Sequence, residues 1–213
     1  MQRTMTRLFN SQTEAMAAVS DLERSGIPKD DISMIASNGD KWHDGRQNGH
    51  GDNDGHDDND AAEGAGKGAA TGGLIGGGAG LLAGLGMLAI PGLGPVVAVG
   101  WLAATAVGAL AGAAAGGAAG GLLGALKDAG HSDDEAQVYA EGVRRGGTLV
   151  SVRTDDDRAN GIQQILDRHS GVDANTRGEA YRKEGWDSYK PDAPAYSSDE
   201  ITRERSRYGI GQG

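Results

Sequence analysis

Two runs of glycine at four-residue spacing constrain this chain more than any other feature. The first is Gly72, Gly76, Gly80 and Gly84; the second is Gly108, Gly112, Gly116, Gly120 and Gly124. No charged residue lies between Lys67 and Lys127. Residues four apart share one face of a helix, and a glycine face lets a second backbone come very close. The block therefore predicts a tightly packed pair of apolar helices. Their tight turn falls at Pro91-Gly92-Leu93-Gly94-Pro95. The pattern points toward membrane insertion or close self-association, and away from catalysis.

Arm length bears on which of these applies. A helix from Gly68 to Ile90 spans roughly 35 Å at about 1.5 Å per residue. That matches a hydrocarbon core of about 30 Å. The second arm begins near Val96 and is longer. Helical backbones satisfy their own hydrogen bonds in lipid, and small residues suit helix pairing there. Against insertion stand the Ala/Gly richness of the arms, the acidic flank before them, and a lone Trp101 as interfacial anchor. The alternative is a soluble homo-oligomer whose hairpins form a shared core. An isolated soluble monomer would expose too much apolar surface.

Composition narrows the partners. The formal net charge is −10. Binding to nucleic acid needs clustered Lys and Arg, so none is expected. Simple docking on anionic lipid by charge is disfavoured as well. There is no cysteine, which removes disulfides, thiolate metal sites and a thiol nucleophile. The opening residues lack the apolar stretch of a secretory signal. The expected location is the cytoplasmic side of the inner membrane, or the cytoplasm for the soluble alternative.

The flanks carry ordinary folding signals. Thr4 to Phe9 is rich in β-formers. Ser11 and Glu14 fit a helix capping box, followed by Ala15, Ala18, Val19 and Leu22 at helical spacing. Gly26 and Pro28 end that helix. Ile32, Met34 and Ala36 alternate as a second strand. After the glycine block, Ser132 and Glu135 form another capping box, opening a helix that Gly146-Gly147 stops. Thr148 to Arg153 predicts a strand, Asp155 to His169 a helix, and Gly171 to Asn175 a weak edge strand.

These elements predict an α+β fold: a ferredoxin-like sandwich interrupted by a long apolar Gly/Ala-rich helical hairpin. Its expected first half is 1–37, followed by a disordered Asp/His/Gly-rich linker at 38–63. The hairpin is 64–127, the second half 128–176, and a mostly disordered tail 177–213. A short helix near Ser198 to Arg207 fits within that tail. An insertion is tolerated because loop closure costs grow slowly with length. Both hairpin ends then lie on one side of any membrane, tied to one sheet.

Several separate words in this order resemble a known family. They are Thr6-Arg7-Leu8-Phe9, Gly26-Ile27-Pro28 before Asp31-Ile32-Ser33, Ala89-Ile90-Pro91-Gly92-Leu93-Gly94-Pro95, and Tyr139-Ala140-Glu141-Gly142-Val143-Arg144-Arg145-Gly146-Gly147-Thr148-Leu149-Val150, with Glu184-Gly185-Trp186 beyond. The chain up to about Trp186 resembles the bacterial general stress protein family with the heat-induced stress protein YflT-type domain. The resemblance implies a stress-related setting. It carries over no catalytic residues.

Other motifs carry little chemistry. His43, His50 and His56 lie among Asp52, Asp54, Asp57, Asp58 and Asp60, but their spacing fits no EF-hand. A solvated acidic spacer is the expectation, with no metal site. Gly64 to Thr71 lacks the Gly-Lys-Ser/Thr of a phosphate loop. His131 and His169 sit at helix ends, where a structural role is expected. Arg144 and Arg145 suit a solvated helix end. No catalytic residue and no cofactor is expected. The expected function is a non-enzymatic, stress-associated protein. Its zipper inserts in or docks on membrane lipid and drives homo-oligomerisation. A small-ligand or cation sensor is the third reading.

Overall fold

The computed structural model describes residues 2–43, 86–90, 93–112 and 120–208. Five strands form one antiparallel sheet: β1 (Gln2–Phe9), β2 (Ile32–Ser37), β3 (Gly86–Ile90), β4 (Gly94–Val99) and β5 (Thr148–Asp155). Their order is β1-β5-β2-β4-β3. Both β1 and β2 run antiparallel to β5, so they are parallel to each other with β5 between them. Helix α1 (Gln12–Arg24) makes the crossover, giving a split βαβ unit. Six further helices among the described residues are α2 (Trp101–Gly112), α3 (Gly120–Asp128), α4 (Asp133–Arg144), α5 (Asp156–Arg168), α6 (Ala174–Lys183) and α7 (Ser198–Tyr208).

Alternation along the strands sends side chains to two apolar layers. Ile32, Met34, Val150 and Val152 pack with Ala15, Ala18, Val19 and Leu22 of α1 and with Ile162 and Leu166 of α5. Ile35, Val96, Ala98 and Leu149 pack on the opposite side with Leu102 of α2, Leu126 of α3, Val143 of α4 and Tyr181 of α6.

The local signals at the flanks are met. Ser11 Oγ accepts the Glu14 backbone N–H at 3.2 Å. Ser132 and Glu135 complete a reciprocal capping box. Gly26 and Gly146 turn the chain at φ +86° and +97°, where a Cβ is strained.

The glycine block departs from expectation where it is described. Gly86–Ile90 and Gly94–Val99 are paired strands, with Leu88 opposite Val96, and not the ends of two helical arms. The chain does reverse between them: Leu93 N donates to Ile90 O at 3.0 Å, and Gly94 has φ +79°. Gly94 and Pro95 thus open β4, while Pro91 and Gly92 lie outside the described residues. The physical reason lies in β4, whose Val96, Val97 and Ala98 are buried on both faces. Such a strand carries an unbroken apolar run, which periodicity does not separate from a helix. Ile90, Val96, Val97 and Val99 supply the β-branched residues that tip the balance.

Nor is the second arm one long helix. It divides into β4, α2 and α3, with α2 and α3 packed on each other. Gly108 and Gly112 lie on α2, and Gly120 and Gly124 on α3. Gly72, Gly76, Gly80, Gly84 and Gly116 lie outside the described residues. A methyl built on Gly124 meets no described heavy atom within 4 Å. Ile90, Leu93, Leu102, Ala106, Leu122 and Leu126 are all core residues, so this part of the block builds the domain itself. Among the described residues no helix is long and apolar enough to cross a membrane.

Two further expectations change. The weak strand near Gly171 reduces to one bridge, Val172 with Leu8. Asp173 then caps α6 by accepting the Thr176 N–H at 2.9 Å, which turns the chain into helix. In the tail expected to be mostly disordered, the short helix expected near Ser198 to Arg207 is present as α7, but α6 also forms and Tyr181, Tyr189 and Ile201 are buried. Ile201 fills the space left by Gly39 and Gly146: a Cβ on either would lie about 2.5 Å from it. The start of the expected linker also folds, since Trp42 Nε1 donates to Ser37 O at 2.7 Å and Asn38 Nδ2 to His43 O at 2.7 Å.

Candidate functional site

The last turn of α4 places Glu141, Arg144 and Arg145 beside α6 and α7. Glu141 is fully buried. Helical spacing of three and four brings both arginines onto its carboxylate: Arg144 Nη2 at 2.5 Å and Arg145 Nε at 2.7 Å. Arg145 also reaches Glu204 of α7 at 2.8 Å and Glu184 at 3.3 Å. Its guanidinium stacks 4.1 Å above the Tyr181 ring. Glu184 in turn holds Arg207 at 3.0 Å and accepts a hydrogen bond from the Tyr208 hydroxyl.

Two more guanidiniums join from the same side. Arg177 Nη2 donates to Asn10 Oδ1 at 2.6 Å, and its guanidinium lies 4.3 Å over the Tyr208 ring. Arg205 donates to the carbonyls of Asn10 and Gly146, each at 3.2 Å, and pairs with Asp40. Between Arg145, Arg177, Arg205, Tyr181, Tyr208 and Gly146-Gly147 lies a cavity of about 10 Å³. That is close to the least space that holds one water.

Electrostatics fix the protonation of this cluster. Burial disfavours the Arg145 charge, but the hydrogen bonds to Glu204 and Glu141 outweigh it and push the pKa further up. Burial raises the Tyr181 and Tyr208 hydroxyls, so both stay neutral. Burial also works on Glu184, but the Tyr208 hydroxyl, Arg207 and Arg145 outweigh it and lower its pKa.

A second polar group spans the sheet. Thr6 Oγ1 is 2.7 Å from His131 Nε2 and 2.9 Å from Ser151 Oγ. Tyr139 donates to Thr6 O at 2.9 Å, and Ala174 N donates to the same Tyr139 hydroxyl at 3.2 Å. Glu135 lies 3.8 Å from His131 Nδ1. Hydroxyl, imidazole and carboxylate thus follow in the order of a nucleophilic triad, but Thr6 is buried and 3.8 Å is too long for the orienting hydrogen bond. The group joins β1, β5, α4 and the start of α6.

No family model, curated protein or solved structure matches this chain.

The clusters differ in how visible they are in sequence. His131 was placed at a helix start, and it lies just before the α4 cap. Arg144 and Arg145, expected at a solvated helix end, are instead tied down, because α6 and α7 cover that end. The one available signal was Glu141 on a helix face otherwise made of Ala136, Tyr139, Ala140 and Val143. A buried carboxylate needs a cation. Nothing local pointed to Arg177 or Glu204. Of the His and Asp residues in the acidic linker, only Asp40 and His43 are within the described residues. Among those residues no group of three His, Cys, Asp or Glu is placed to hold a metal ion.

His131 gives a testable pH dependence. Burial lowers its pKa, and the Glu135 carboxylate offsets this in part. The folded state therefore binds the proton less readily than the unfolded chain, whose imidazole titrates near 6.5. This contribution is fully present above about pH 6.5 and is lost as the pH falls below it. We expect the urea midpoint to drop between pH 7.5 and 5.5, and His131→Gln to flatten that drop. An unchanged pH slope in the variant would assign the dependence to other groups.

Proposed function

We propose that this chain is a non-enzymatic, self-associating protein acting in a stress-related setting. The stress setting rests on the sequence resemblance. Self-association rests on one observation: among the described residues β3 is an edge strand, paired only with β4. Strand β3 (GMLAI) carries no charge and no proline, the usual guards of an edge. Met87 on it is half-exposed, the one large exposed hydrophobic among the described residues. The opposite edge, β1, carries Arg3 and Arg7 and is partly covered by Val172. An uncharged edge pairs with a second copy without setting like charges opposite each other.

The reading is tested by sedimentation of the full chain. The parent should form a defined oligomer that dissociates with dilution, and Met87→Lys should shift it toward monomer by about tenfold in dissociation constant. Identical assembly of both proteins would remove β3 from the interface.

Membrane docking is the second reading, with lipid as partner. It is favoured by the uncharged residues 68–85, which precede β3. Because β2 and β3 belong to one sheet, the chain on either side of this stretch stays on one side of a membrane, so the reading is docking on lipid and not a single crossing. Retention in alkaline-washed membranes supports it; full release opposes it. The finer fold proposed is ferredoxin-like. Its support is the sequence Val172–β1–β5–β2 across the sheet, with β4 and β3 added beyond β2. A ligand-binding role is the third reading.

A further inference from the structure

We propose that the cavity beside Arg177 is a binding site for a small monovalent anion of the halide class. The argument begins with charge pairing. Arg145, Arg177 and Arg205 all line the cavity. Arg145 is balanced by Glu141 and Glu204, and Arg205 by Asp40. Arg177 has no carboxylate at ion-pair distance among the described residues; its hydrogen-bond acceptor is the neutral Asn10 amide. Yet it is only 4 % exposed. A cation removed from water and left without an anion is costly.

A second observation points the same way. Arg177 Nε is buried and finds no acceptor among the described residues. Guanidinium N–H groups are donors only, so what completes this site is an acceptor. The Tyr208 and Tyr181 rings, 4.3 and 5.8 Å from the guanidinium, stabilise the cation without pairing its charge. Glu204, the carboxylate lining the cavity, is already engaged by Arg145.

Size selects the ligand. A cavity of about 10 Å³ excludes phosphate, sulfate and organic acids. Water would satisfy the Nε–H but would leave the charge unbalanced. A halide, a single atom carrying one negative charge, does both, and being larger than water it fills the cavity completely. The site is independent of self-association through β3, since the two involve different elements.

The test is thermal unfolding of the full chain in sodium chloride, sodium bromide and sodium gluconate at one ionic strength. Matching ionic strength removes the general screening of the ion pairs. A native-state ligand raises Tm along a saturation curve. Chloride and bromide should each do so; gluconate, too large to enter, should not. Arg177→Met should abolish the difference between salts. Equal melting of the parent in all three salts would overturn the proposal in favour of water. A difference that persists in Arg177→Met would place the anion elsewhere and overturn it too. If that variant does not fold, anomalous scattering from bromide in crystals of the parent decides: a peak against Arg177 supports the site, and none there refutes it.

Discussion

Replacing Glu141 with alanine should destabilise the fold by about 3–5 kcal/mol, the usual cost of breaking one side of a buried ion pair. Glu141 is fully buried and accepts hydrogen bonds from both Arg144 and Arg145. Its removal takes a carboxylate from both guanidiniums, which are only 13 % and 8 % exposed. The remaining partners of Arg145 come from α6 and α7, so those elements should loosen first. In urea the midpoint should fall with little change in slope, the mark of lost stability rather than a changed unfolded state. Glu141→Gln, which keeps an acceptor but not the charge, should fall between parent and alanine. The double variant Glu141→Met with Arg145→Met should recover part of the loss, because it leaves fewer unmatched charges. A loss below about 1 kcal/mol in Glu141→Ala would mean that the cluster is solvated enough to repair itself.

The second large effect is expected at Gly100, in the turn from β4 to α2. Its φ is +90°, and a Cβ there would sit 2.3 Å from Ile32 O and 2.8 Å from Ser33 Cα. Both are backbone atoms of the neighbouring strand, so neither can move without disturbing the sheet. Gly100→Ala therefore combines left-handed backbone strain with overpacking, about 2–5 kcal/mol together. Gly26 supplies the control. Its φ is +86°, but a Cβ there meets nothing within 4 Å. Gly26→Ala should cost only the strain, about 1–2 kcal/mol. Equal melting of the two alanine variants would show that β2 and the turn do not approach as closely as described.

The contrast between these glycines shows what a sequence discloses. Gly26 was legible as a helix stop, because it follows an amphipathic run and precedes Pro28. Gly100 carries no such local mark; its role depends on β2, whose Ile32 precedes it by 68 positions in the numbering. The same division runs through the fold. β1, α1, β2, α4, β5 and α5 were legible from caps and periodicity. β3 and β4 were not, since an unbroken uncharged apolar run gives no alternation. The tail misled for another reason: its polar composition hides three anchors, Tyr181, Tyr189 and Ile201, each of which fills a place prepared elsewhere. The arginine cluster joins residues 59 positions apart, Arg145 and Glu204, and no spacing rule reaches that far.

The place of β5 sets an order on folding. β1 leaves the ribosome first, yet its hydrogen-bonding neighbour in the sheet is β5, which begins at Thr148. At about 5–20 residues per second that partner arrives on the order of ten seconds later. Through that interval β1 and one side of β2 wait as unpaired strands, while β2, β3 and β4 already have each other. The sheet fills from its β3 side toward β1, and its first-made strand is among the last to be secured.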